Sequence, residues 1–332
     1  MVVKQDCPYK ISQFQFGPPL ESLRIEPLDL KKVGPSEVGV KLLAAPINPS
    51  DLGSIVGTYE HLRVLPAVPG REGVGEIYEV GALVDAALLG RRVRMPLELG
   101  SWQDRVVVNF QDLIFVPEDI PVELAAMAFI NPPTALGMLE DFVDLKPGDW
   151  IVQNAANSGV GMCVIQIARQ LGFRTINVVR NLSLWEEPIK KAGGDVVVQG
   201  DTEWFKNPQC KGIAKLALNS VGGQSAINLI QALEPGGVHV TFGGMSRDAV
   251  VWPTRDLLFR DVSLRGYEVA RYFGTERYKE ILNRIFDYMR KGIIDIPVER
   301  TYLLKDFKEA IAQAQAYHRK GKILLRSDWV PS

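Results

Sequence analysis

Residues 154–161 run Asn154-Ala155-Ala156-Asn157-Ser158-Gly159-Val160-Gly161. Small residues in such a turn let a backbone come close to phosphates. The helix that opens there adds unused N–H groups and the positive end of its dipole. The strict G-x-G-x-x-G pattern is absent, and a Gly-rich turn taken alone is equally a tight strand-to-helix connection. Its setting, between an apolar strand, an amphipathic helix and a second strand, points to a dinucleotide. About 20 residues past the glycines, where an NAD site carries an acid for the ribose hydroxyl, the chain reads Val179-Arg180-Asn181. A planar, always charged guanidinium suits a 2′-phosphate, so Arg180 favours NADPH. Its plain alternative is a surface arginine at a strand end.

The elements that must hold this turn follow from periodicity. Trp150-Ile151-Val152-Gln153 reads as a short buried strand. Val160, Cys163, Val164, Ile167, Ala168 and Leu171 then recur on one helical face, and Gly172 stands as the residue that ends it. Residues 175–179, 196–198, 215–218 and 238–242 read as further strands, with a helix over 227–233 and a turn at 235–237. Residues 263–267 complete the set. Strands alternating with helices imply a parallel sheet covered on both faces. Residues 1–120 differ. Short runs such as 38–45, 73–80 and 113–116, broken by Gly and Pro, predict a mostly β domain, followed by helical character over 122–139. The tail predicts a helix over 276–291, a shorter one from 306, and a last strand over 322–325.

The chain has 332 residues, enough for two domains without disulfide or metal staples. With 46% hydrophobic and 23% charged residues it fits an ordinary globular protein rather than a disordered one. A net charge of -1 gives no reason to expect nucleic acid or an anionic membrane as partner. No apolar run is long enough to span a bilayer, and the first 17 residues lack a signal-peptide core. Cys7, Cys163 and Cys210 form no C-x-x-C pair, and His61, His239 and His318 are scattered, so neither a disulfide framework nor a His/Cys zinc site is expected. The reducing cytoplasm is the default compartment, with a mature mitochondrial form as the other fit.

Four stretches carry a family resemblance: INPSD (47–51) before GTYEHLRVLPAVPGREGVGEIYEVG (57–81), NPPTALGML (131–139), IVQNAANSGVGMCVIQIARQLGFRTINVVRN (151–181), and LALNSVGGQSA (216–226) followed by TFGGM (241–245). Over nearly its whole length the chain resembles the medium-chain dehydrogenase/reductase superfamily. Within it, the longer Asn-Ser-Gly turn resembles the mitochondrial-type 2-enoyl thioester reductases more than the quinone reductases. The resemblance implies a GroES-like, mostly β substrate domain from 1–121 and 268–332. It implies a doubly wound Rossmann cofactor domain over 122–267. The zinc branch of the superfamily carries a cysteine and a Gly-His-Glu triplet where this chain has Asn48 and Gly70-Arg71-Glu72. A guanidinium offers no lone pair to a metal, so no zinc is expected.

The resemblance also assigns residues. Tyr59 occupies the position of the catalytic tyrosine. Hydride addition to C3 of an enoyl thioester creates an enolate, which needs a donor at oxygen and a proton at C2, and a phenol suits both. Without the family motif around it, Tyr59 is an ordinary loop tyrosine. Asn157, Ser158, Gly159 and Val160 are expected along the pyrophosphate. Phe242, Gly243, Gly244 and Met245 are expected toward the nicotinamide, with Tyr267, Glu268, Val269 and Lys322 close by. Asn131 reads equally as a cofactor neighbour and as the cap of the helix before Pro132-Pro133, and Asn48 equally as a site residue and a turn residue. His61 reads as a solvated loop residue. Arg271, Arg277, Lys279, Arg284, Arg290 and Lys291 could meet thioester phosphates, although such charges more often solvate a helix face. Tyr267 and Tyr272 stand where an aromatic cluster is expected. The substrate implied is a small or carrier-bound acyl thioester, and the assembly a homodimer joined at the edge strand 263–267. The rival activity is NADPH-dependent quinone or 2-alkenal reduction. A rival of another class is an NADPH-binding protein without turnover.

Overall fold

The computed structural model describes residues 7–29, 31–316 and 319–329, so the expectations placed on His318 and on the first six residues lie outside the described residues. The chain divides into two compact units, 1–129 with 296–332 and 130–295. These bounds differ from 121/122 and 267/268. The helix Val122–Ala125 packs on the strand Glu37–Pro46 of the first unit. The helix Glu276–Arg290 packs on Asn131–Glu140 of the second, where Arg277 and Arg284 pair with Glu140.

The first unit is built on a six-stranded sheet with strands from both ends of the chain. The order runs Val298–Leu303, Lys322–Arg326, Glu37–Pro46, Val74–Val80, Arg92–Arg94, with Arg105–Asn109 also pairing to Glu37–Pro46. Alternation along Glu37–Pro46 sends Val38, Val40 and Leu42 into a core with Ile77, Trp102, Phe307 and Ile323. The register is what matters for chemistry. Leu324 faces Pro46, and Ala44 faces Val74. Asn48, Glu72 and Lys322 each lie within two residues of those strand ends, so pairing alone gathers them at one end of the sheet. Residues 113–116 do not form the expected strand. Phe115 makes a single bridge to Val93, and Pro117 stops the ladder.

The second unit is a six-stranded parallel sheet in the order Ser263–Gly266, Leu233–Thr241, Ala214–Asn219, Trp150–Gln153, Arg174–Val179, Val196–Gln199. The chain starts in the middle, builds outward, then returns to build the other half. This is the doubly wound order, with its switch between Trp150–Gln153 and Ala214–Asn219. The helix Gly159–Leu171 buries Cys163, Val164, Ile167 and Ala168 and ends on Gly172 at φ 78°, as the periodicity predicts. The 122–139 region is two helices, Val122–Ala125 and Asn131–Glu140. The second is buried from Asn131 through Leu139, which erases the periodicity a half-exposed helix would show. The helix Leu182–Ala192 escaped sequence reading because Pro188 lies inside it.

Candidate active site

In the first unit the chemistry gathers around one short helix, Pro49–Val56. Asn48 caps it. The Asn48 side chain accepts from the third helical N–H, and Asp51 Oδ2 accepts the Asn48 N–H at 2.7 Å, a reciprocal capping box. The cap leaves the amide's other groups to a buried network. Asn48 Nδ2 donates to Glu72 Oε1 at 2.7 Å, Lys322 Nζ donates to Asn48 Oδ1, and Glu72 Oε2 accepts the Phe129 N–H at 3.1 Å. Asn48 is therefore both turn residue and network residue. Burial pushes Glu72 up to about 7 against the pull of Lys322 and the Asn48 bond. Burial likewise raises Asp51 to about 6, opposed by the Asn48 N–H and by Arg71 and Lys322. One ammonium thus stands among two carboxyls that desolvation holds near neutrality.

The other end of the helix carries Tyr59. Gly57 takes φ 89°, a left-handed cap that only glycine adopts without strain, and its N–H bonds back to Gly53 O and Ser54 O. Thr58 N–H follows to Gly53 O at 2.9 Å. The chain therefore doubles back, and Tyr59 is half-buried beside Gly53. The Arg71 guanidinium lies over its ring, 4.7 Å from the centroid. Arg63 holds the rest of the loop by donating to Val68 O at 2.7 Å, Gly70 O at 3.0 Å and Leu97 O at 2.5 Å. His61 is exposed, as expected of a loop histidine.

In the second unit the candidate residues meet at the carboxyl ends of the parallel strands. Ser158 caps the helix Gly159–Leu171, its Oγ accepting Gly161 N–H at 3.1 Å. A Cβ on Gly161 would fall 2.5 Å from Ala156 O, so the turn closes only with glycine there. The first helical residues, Gly159 and Val160, keep N–H groups that no intrahelical bond uses, and Asn157 precedes them half-buried. Across the switch point, Asn154 Nδ2 donates to Asn219 Oδ1 at 2.8 Å, and Asn154 Oδ1 accepts Ser220 N–H at 2.8 Å. Asn219 also accepts from Val221 N and Gly222 N and donates to Thr241 Oγ1. The next loop lies on this one. Phe242 N–H bonds Asn219 O, Met245 N–H bonds Ser220 O, and a Cβ on Gly243 would come within 3.0 Å of Ser220 O. Gly244 and Met245 are exposed beyond it.

Arg180 is exposed at the end of Arg174–Val179, beside Asn181, which caps the next helix. Tyr267 begins the segment after the edge strand. Its N–H bonds Thr241 O, its ring stacks on Tyr272 at 5.5 Å and meets Phe142 edge-on, and its hydroxyl is buried against Gly137 without a hydrogen-bond partner. Glu268 is half-buried and Val269 buried next to it. Asn131 is not a cap. Ile130 holds that position, Asn131 is the first helical residue, and its buried Nδ2 has no partner. Arg277 and Arg284 are committed to Glu140 and Asp141, which speaks against their meeting thioester phosphates.

These arrangements fit a dinucleotide. The orphaned Asn131 Nδ2 and Ser220 Oγ are polar groups in want of a ligand, and the Ser158 turn supplies anion-binding N–H groups. At Asn48 the donors are an amide, an ammonium and carboxyls, and an ammonium cannot ligate. Among the described residues no group of three or more His, Cys, Asp and Glu side chains is gathered for a metal ion. Sequence reading missed Asp51, Arg63, Glu72, Asn154 and Asn219 as site-forming residues. The Asn154-Asn157 and Asn219-Ser220 pairs at strand ends were a readable signal for two of them; no local pattern marks Glu72 as a partner of Lys322.

Two family models match the chain: an alcohol dehydrogenase GroES-like domain over residues 34–118 and a zinc-binding dehydrogenase over 192–325. The mitochondrial enoyl-[acyl-carrier-protein] reductase of Rattus norvegicus is 40% identical over 309 residues, covering 89% of this chain and 82% of the relative. Among solved structures, the 2-enoyl thioester reductase Etr1p/Etr2p heterodimer of Candida tropicalis superposes with TM-score 0.87 at 26% identity, covering 96% of this chain and 99% of that one. The Etr1p complex with NADP and crotonyl-CoA has the same coverage and identity and a TM-score of 0.86. A mycobacterial quinone oxidoreductase has TM-score 0.81 and 26% identity over 96% and 99%. The GroES-like sheet, the doubly wound sheet and these likenesses agree: the chain belongs to the medium-chain dehydrogenase/reductase superfamily, among the mitochondrial-type 2-enoyl thioester reductases.

Proposed function

We propose that this protein is an NADPH-dependent reductase of trans-2-enoyl thioesters. The observation that carries the reading is Tyr59, set against Gly53 by the Gly57 cap and covered by Arg71. NADPH, when bound, supplies the hydride that goes to C3 of the substrate. Tyr59 donates its hydroxyl hydrogen bond to the thioester oxygen as negative charge develops there. The enolate then collapses with a proton at C2, delivered by the phenol or by water. Asn157, Ser158, Gly159 and Val160 are assigned to the pyrophosphate, and Arg180 to the 2′-phosphate. Phe242, Gly243, Gly244 and Met245, with Tyr267, Glu268 and Val269, are assigned to the nicotinamide end. Asn131 offers its unpartnered amide. Asn48 and Lys322 belong to the same assignment, and their mutual bond fixes each of them.

The test is NADPH oxidation with a short trans-2-enoyl-coenzyme A and with a simple quinone, for wild type and Tyr59→Phe. Thioester turnover that falls by roughly 100-fold or more in the variant fits loss of a general acid. Quinone turnover alone, indifferent to the variant, would make this a quinone reductase, the second reading that the mycobacterial likeness favours. NADPH binding with no turnover of either would leave a binding protein.

For the assembly we propose a homodimer through the edge strand Ser263–Gly266. That strand pairs on one side only, to Leu233–Thr241, and Val251, Leu258 and Phe259 near it are 68–80% exposed. Phe259→Asp is expected to convert a dimer to a monomer in analytical ultracentrifugation; an unchanged mass would reject the edge. No helix among the described residues is long and apolar enough to cross a membrane. Cys163 and Cys210 are buried and Cys7 is exposed, with no disulfide among the described residues. A reducing compartment, cytosolic or mitochondrial, fits this usage.

A further inference from the structure

Arg71 takes no chemical step in the reaction described above, yet its guanidinium lies against the residue that does. Its guanidinium carbon lies 4.7 Å from the Tyr59 ring centroid. Asp51 nearby is fully buried and accepts the Asn48 N–H on Oδ2, and the positive charge of Arg71 opposes the rise that burial gives its carboxyl. Glu72, the chain neighbour of Arg71, is held by the Asn48 amide and the Phe129 N–H.

Leu62 and Val64, just beyond Tyr59, are exposed, Val64 at 92%. Arg63 anchors the loop through backbone carbonyls, not through the tyrosine ring. Where the ring edge passes Gly53 it meets no side chain. A cation over the ring face supplies a directional hold that apolar contact with a glycine cannot, since the quadrupole attracts the charge to one face.

We infer that Arg71 is a positioning residue for Tyr59: its guanidinium holds the phenol ring beside Gly53 and so fixes where the hydroxyl points. The role in turnover rests on Tyr59 being the donor; the placement of the ring does not. A lysine keeps the charge but loses the planar stacking, and a glutamine loses the charge.

The experiment compares Arg71→Gln, Arg71→Lys, Tyr59→Phe and the Arg71→Gln/Tyr59→Phe double variant. Steady-state rates use trans-2-enoyl-coenzyme A, NADPH binding is followed by fluorescence, and the Tyr59 ring resonance is observed in carbon-labelled tyrosine and assigned by its loss in Tyr59→Phe. Arg71→Gln is expected to lower kcat about tenfold, as loss of a partly desolvated cation–π contact would, with the NADPH Kd unchanged. Arg71→Lys should recover part of that loss and also guards against a folding failure of the glutamine variant. The ring resonance should move in Arg71→Gln, and the double variant should be no slower than Tyr59→Phe alone. A raised NADPH Kd with kcat intact would make Arg71 a cofactor contact and overturn the inference. So would an equal further loss in the Tyr59→Phe background, or an unmoved ring resonance. A fully active Tyr59→Phe would instead overturn the functional reading, and the resonance would then decide the ring placement by itself.

Discussion

At the residue scale, this protein's chemistry depends on which polar groups are already satisfied. Arg277 and Arg284, which the sequence reads more as helix-face charges than as phosphate ligands, pair with Glu140 and Asp141. Arg180 lies at the carboxyl end of Arg174–Val179, exposed and beside the asparagine that caps the next helix. A charge-assisted bond to a 2′-phosphate contributes about 1.5–3 kcal/mol, so Arg180→Ala is expected to raise KM for NADPH by roughly 10- to 100-fold. NADH kinetics should barely change, because NADH has no 2′-phosphate. Equal losses with both cofactors would remove Arg180 from that role.

At the element scale, two turns place the candidate groups. The Gly57 cap reverses the chain after Pro49–Val56 and sets Tyr59 against that helix. The Ser158 cap opens Gly159–Leu171 at the end of the first parallel strand. Gly161 is the point at which the second turn tolerates least. An added methyl would meet the Ala156 carbonyl at 2.5 Å, and backbone cannot swing aside as a flexible side chain can. Overpacking of this kind costs about 1–3 kcal/mol, so Gly161→Ala should lower Tm and weaken NADPH binding together. Calorimetry and fluorescence titration check this; normal affinity with normal stability would mean the turn is more yielding than its geometry implies. The Gly-rich turn and its helix were legible because caps and apolar periodicity are local. The helix Asn131–Glu140 was not delimited, because burial on all sides leaves no polar face to set its ends.

At the scale of the whole molecule, the fully buried carboxyls of the first unit and the buried histidine of the second respond oppositely to acid. Burial holds Glu72 near 7 and Asp51 near 6 in the first unit, above the ordinary carboxylate range. Groups raised in the folded state bind protons there first, so their contribution to stability grows as pH falls from about 8 to 5. In the second unit, burial pushes His239 down to about 4. The unfolded chain protonates this histidine near 6.5 while the folded one resists, so stability is lost as pH falls from about 6.5 toward 4, by roughly 3 kcal/mol at most. Hydrogen exchange at pH 7.5 and 5, corrected for intrinsic rates, should show protection rising in Glu37–Pro46 and falling in Leu233–Thr241. A uniform change in both strands would reject this account. His239→Phe should flatten the response of the second unit.

The sequence by itself determined what is local: the strand–turn–helix around Ser158 and the arginine at the end of the next strand. Each is written in residue types within a few positions of one another, where backbone preference and side-chain chemistry act without help from elsewhere. Only the tertiary structure decided the partners. Lys322 meets Asn48 because Lys322–Arg326 pairs with Glu37–Pro46, Glu72 joins them because Ala44 faces Val74, and Asn154 meets Asn219 because the sheet is doubly wound. Those contacts span from 24 to 274 residues of chain, and strand register, which no local pattern encodes, is the physical cause of all of them.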